Sequence, residues 1–134
     1  MNSDDNIKTI QAVYEAFGRG DVATILDALT DDVDWASDGV DTRVPWYGVK
    51  HGKGGVAEFF QAFGSTIDVD EFNPVSYAAN DTEVHTLVKY RSRAKATGTA
   101  SEMNLHHYFR FVDGKIAYYR GSEDSAQTLV ALGV

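Results

Sequence analysis

Apolar residues recur every three or four positions in the first half of the chain and every second position beyond residue 67. Ile7, Ile10, Tyr14 and Phe17 share one helical face, and Ser3 followed by Asp4 and Asp5 reads as that helix's N-cap and first turn. Gly18 and Gly20 end it, and Asp21 is placed to cap a second helix carrying Val22, Ile25, Leu26 and Leu29. Val33-Asp34-Trp35-Ala36 reads as a short strand. The stretch from Ser37 to Lys53 is irregular and holds Pro45, Trp46, Tyr47 and three glycines. Connections that long inside a compact domain tend to carry function. Val56, Phe59, Phe60 and Phe63 then fall at i, i+3, i+4 and i+7 of a third helix.

Strand-like alternation follows at roughly 67–78, 82–97, 101–112 and 115–123, with Asp113-Gly114 as a tight hairpin between the last two. A closing helix starts at Asp124 and is expected to bury Leu129 and Leu132. With no repeat, low-complexity tract or linker, residues 1–134 read as a single domain. Its class is α+β, with N-terminal helices packed on a curved, mostly antiparallel sheet.

Alternation also decides which of two adjacent histidines faces inward. Met103, Leu105, His107, Phe109 and Phe111 share one parity; Glu102, Asn104, His106, Tyr108 and Arg110 share the other. A one-residue slip would bury Glu102, Asn104 and Arg110, so the register places His107 inside and His106 outside. An ordinary core histidine with a satisfied hydrogen bond would show the same pattern.

Composition narrows the function classes. The chain is 43% hydrophobic and 12% aromatic, enough to fill a core and also to wall a cavity for an apolar ligand. A net charge of −8 argues against nucleic acid or an anionic membrane as partner. The stripe of Lys89, Arg91, Arg93 and Lys95 therefore reads as a solvated outer face or subunit contact. The absence of cysteine removes thiolate chemistry and cysteine–zinc sites. Met1 to Asp5 is acidic without an apolar run, and no stretch reaches membrane-spanning length, so a cytoplasmic protein is expected. His51, His85, His106 and His107 lack metal-ligand spacing, and neither metal nor cofactor is expected. "HGKGGV" lacks both the preceding strand and the Lys-Ser/Thr ending of a phosphate loop, and no Gly-x-Ser-x-Gly supports a nucleophilic serine.

Four segments agree in order and spacing with one family pattern: "YEAFGRGDVATILDALTDDVDW", "VPWYGVKHGKGGVAEFF", "HYFRFVDGKI" and "EDSAQTLVALG". Together they resemble the SnoaL-like branch of the NTF2-like superfamily, which includes polyketide cyclases and relatives of ketosteroid isomerase. The resemblance implies a cone-shaped α+β barrel, usually dimeric, with one deep pocket between helices and sheet. By this likeness His107 matches a histidine that often faces the pocket, and Tyr14 lies near the pocket tyrosine of the steroid isomerases. Their general base falls where this chain has Ser37 and Asp38. The aspartate base of the aldol-type cyclases falls on Gly121, a departure that removes the proton acceptor of that reaction. Gly121→Asp is expected to be tolerated only if the backbone there does not need a positive φ.

These residues outline a cofactor-independent isomerase or lyase that abstracts a proton next to a carbonyl. Asp38 is the candidate base, its pKa raised beside Trp35 and Trp46, while His107 and Tyr14 donate to the developing enolate oxygen. "SDGVD" is equally ordinary turn sequence. Glu123 is a substitute base, or a residue favouring the dipole of the last helix. The rival is a non-catalytic binding module, with Trp35, Trp46, Phe59, Phe63, Tyr90 and Leu105 around a small apolar molecule beside His107. A third reading is a dimeric scaffold with an idle pocket. A homodimer through the outer sheet face is expected from the resemblance and from Leu87 and Tyr108.

Overall fold

The computed structural model describes residues 2–134; Met1 of the acidic N-terminal stretch lies outside them. Helix α1 spans Ser3–Gly18. Its cap is Asn2 rather than Ser3, because the Asn2 side-chain oxygen reaches the Asp5 N–H at 2.9 Å. Helix α2, Val22–Asp27, is capped by Asp21 as expected. It ends before Leu29, which instead opens strand β1, Leu29–Ser37, and is fully buried. This strand is longer than the four residues read from the sequence. A register irregularity between Leu29 and Asp34, with Asp31 and Asp32 exposed, interrupts the alternation that would have revealed it.

The irregular stretch after β1 also contains strand β2, Lys50–His51, too short to show a period, which pairs antiparallel with β1. Helix α3, Gly52–Thr66, buries Val56 and Phe59. Strands β3 (Ile67–Ala79), β4 (Glu83–Ala94), β5 (Ala100–Val112) and β6 (Lys115–Ser122) follow, then helix α4, Ser125–Leu132. β4 stops three residues short of expectation. The Gly98 N–H donates to the Ala94 carbonyl at 2.8 Å, so Lys95, Ala96 and Thr97 form a turn. Asp113 and Gly114 have φ of 50° and 78°, the two positive values that a two-residue hairpin needs. In α4 the fully covered positions are Thr128 and Ala131, while Leu129 and Leu132 sit partly buried at the core's edge.

The strand order is β2-β1-β6-β5-β4-β3, antiparallel except for β1 against β6. β2 and β3 remain unpaired edges, so the barrel expected from the resemblance is an open, curved sheet. α1 packs on β3 and β4, and α3 packs on β1. On the outer face, Arg91 meets Glu71 at 2.9 Å, Arg93 meets Asp70 at 3.0 Å and Lys95 meets Asp68 at 3.7 Å. Arg91, Arg93 and Lys95 of the basic stripe are thus met by carboxylates of β3. Exposed pairs of this kind add little stability each. Among the described residues, no helix is long and apolar enough to cross a membrane.

Candidate active site

A narrow cavity opens between the helices and the concave face of the sheet, with about 80 Å³ of accessible space inside. Trp35 from β1, Trp46 from the loop, Phe59 and Phe63 from α3, Tyr90 from β4 and Leu105 from β5 all line it. Their rings meet edge to face, as in Trp46 against Phe63 at 5.2 Å between centroids, an arrangement that favours packing. Phe72 and Tyr119, not singled out from the sequence, complete the aromatic wall.

His107 faces this cavity and His106 is exposed on the other side of β5. Met103, Leu105, Phe109 and Phe111 are buried while Glu102, Asn104 and Arg110 are exposed, so the register has the predicted parity. Tyr14 reaches His107 from α1, its hydroxyl 2.7 Å from Nδ1. Burial pushes the Tyr14 hydroxyl well above the usual phenol range, so it stays protonated; the nearby Thr86 hydroxyl opposes that rise. Thr86 Oγ1 itself lies outside hydrogen-bond geometry and has no partner among the described residues. Where the Tyr14 hydroxyl donates to Nδ1, the remaining imidazole proton lies on Nε2.

Desolvation, with a smaller contribution from His106, lowers the His107 pKa to about 3. The ring is neutral at physiological pH and offers an uncharged N–H. Linkage follows in sign. Between the unfolded value near 6.5 and the folded value of about 3, the unfolded chain binds a proton that the native chain does not. This histidine therefore lowers stability as pH falls through that window, and its effect is absent above it.

Asp38 does not join the pair. Ser37 turns inward at the end of β1, and the next residue turns outward by strand alternation. The Asp38 side chain is 60% exposed, with Arg120 Nε 3.9 Å away. The carboxylate in the cavity wall is Glu123. Its Oε2 accepts from the Tyr47 hydroxyl at 3.0 Å and from the Thr128 hydroxyl. Tyr47 is held in turn by Gly39, since a Cβ there would press into its ring. Burial, then the charge of Glu123, pushes the Tyr47 hydroxyl well above the usual phenol range.

Gly121 pairs with His107 across β5 and β6. Its φ is not positive, so the backbone condition for a side chain there is met. A Cβ at 121 would lie 2.9 Å from Tyr119 Cζ, closer still to the Tyr119 hydroxyl, and 3.3 Å from His107 Cδ2. The place of a side chain at 121 is taken by Tyr119.

The family model of the SnoaL-like domain matches residues 10–119. The chain belongs to the SnoaL-like family. No curated protein matches it. An NTF2-like protein of unknown function from Burkholderia pseudomallei K96243 superposes with a TM-score of 0.89 at 24% identity, over 97% of this chain and 98% of that one. TerC, co-crystallised with polyporic acid, gives 0.85 at 20% identity, over 97% and 99%. A proposed polyketide cyclase from Xanthomonas campestris pv. campestris gives 0.79 at 20% identity, over 97% and 98%. At these identities the solved structures establish the NTF2-like fold, and the SnoaL-like chain's chemistry rests on its own residues.

Proposed function

We propose that this SnoaL-like protein binds one small apolar molecule bearing a carbonyl and catalyses cofactor-independent proton transfer at the carbon beside it. The observation that carries this reading is the Tyr14–His107 pair inside an aromatic cavity. With Tyr14 donating to Nδ1, the imidazole keeps its proton on Nε2 for a bound carbonyl. A neutral donor in an apolar site strengthens its hydrogen bond as negative charge grows on the carbonyl oxygen. Co-crystallisation of TerC with a small molecule and the cyclase label of another neighbour support use of such a cavity.

The second reading is binding without turnover, and Gly121 at the cyclase base position favours it. Exchange of α-protons into D2O, followed by proton NMR on cyclic ketones and 1,3-diketones, separates the two. The catalytic reading expects exchange well above the buffer rate. Displacement of an apolar dye by the ketones without any exchange would leave the binding module.

The outer face, with partly exposed Leu87 and Tyr108, is the surface where a second copy is proposed to dock. Sedimentation as a monomer at micromolar concentration would remove that proposal.

A further inference from the structure

We infer that Glu123 is the proton acceptor of this site, held by Tyr47 and Thr128 so that one carboxylate oxygen stays free for substrate. The inference rests on the carbonyl reading above and names the group that reading lacks. Among the described residues, Glu123 is the one acidic side chain in the cavity wall. It lies one residue past the end of β6, two positions after Gly121, the partner of His107.

The hydrogen bonds divide the carboxylate. Both hydroxyl donors go to Oε2, and Oε1 has no protein donor among the described residues. Support of the helix end does not require this arrangement. Asp124 already caps α4, accepting from the Gln127 N–H at 3.3 Å and from its side chain at 3.1 Å. The titratable groups around Glu123 are Tyr47 from the loop, Tyr90 from β4, Tyr119 from β6 and Asp124 at the cap of α4. The three tyrosines are raised by burial first, Tyr90 to about 12, and so remain hydroxyl donors at neutral pH.

In the step itself, Oε1 takes the proton from the carbon beside the carbonyl. The C–H pair becomes the carbon–carbon double bond, and the carbonyl π pair moves to oxygen, which accepts from His107 Nε2–H. The protonated Glu123 then returns the proton, to the same carbon in exchange or to a conjugated carbon in isomerisation. Nothing is oxidised or reduced, and no co-reactant enters.

Glu123→Gln keeps the hydrogen-bond acceptor for Tyr47 and Thr128 but removes the base. It should lower α-proton exchange by about 100-fold or more, the usual contribution of a general base, while the apolar dye still binds. Glu123→Asp should recover part of the rate. Tyr47→Phe removes a donor from the carboxylate and disfavours its charged form, so the acid limb of the rate profile should move to higher pH. A purely structural Glu123 would not move that limb.

Glu123→Gln exchanging within threefold of the unmodified protein would overturn the inference. If His107→Ala abolished exchange at the same time, the proposed function would survive it. No exchange by the unmodified protein would overturn both. Should Glu123→Gln fail to fold, the Tyr47→Phe profile decides, and an unmoved acid limb counts against the inference.

Discussion

Gly121→Asp should destabilise the protein rather than restore a cyclase base. The new Cβ would meet Tyr119 at its hydroxyl and Cζ, and Tyr119 has little room to retreat. Its side chain lies in a residue only 5% exposed, with the ring centroid 4.2 Å from Trp35, 5.0 Å from Phe109 and 5.3 Å from His107. Overpacking a filled site costs about 1–3 kcal/mol, and placing a carboxylate among aromatic rings adds to it. A total of about 3 kcal/mol should lower Tm by roughly 10 °C in a domain of this size. Gly121→Ala should show the steric part alone, and adding Tyr119→Phe should relieve some of it. Gly121→Asp with an unchanged melting curve would mean that Tyr119 yields freely.

His107→Ala should cut α-proton exchange by about 100- to 1,000-fold, the range for loss of a donor aimed at a developing oxyanion. His106→Ala should leave exchange within twofold, because that side chain is exposed on the opposite face of β5. Tyr14→Phe should fall between them, since the imidazole stays but loses the bond that sets its tautomer. His107→Ala also strands the buried Tyr14 hydroxyl, at about 1–3 kcal/mol. Circular dichroism and dye binding therefore need to show a folded variant before its rate is read. Equal losses in His106→Ala and His107→Ala would contradict the site.

The strands that carry the site were legible because each buries one face. In β5 a single parity sets Met103, Leu105, His107, Phe109 and Phe111 inward, and chemistry at the other positions forbids a slip. The resemblance that offers Asp38 as the base carries no such parity argument. With β1 running to Ser37, Asp38 falls on the outside by parity. Asn2 and Ser3 are both good caps, and only the reach of the Asn2 side chain distinguishes them. The hold on Glu123 was not legible at all. Tyr47 lies 76 residues earlier in the chain, in a loop without a period, and meets Glu123 only through the path of that loop. The Tyr119–Gly121 relation was half visible. Residues two apart on a strand share a face, but nothing local says that the ring folds over the glycine.

The proposed step depends most on a neutral His107 presenting Nε2–H to a carbonyl. The imidazole 15N shifts of His107, followed from pH 8 to pH 5 with and without a bound ketone, test this directly. The proposed step predicts a ring that stays neutral throughout, with Nδ1 accepting from Tyr14 and the proton on Nε2. Ketone binding should then shift the Nε2–H resonance without changing the tautomer. A ring that titrates near 6.5, or an Nε2–H resonance indifferent to the ketone, would contradict the central claim.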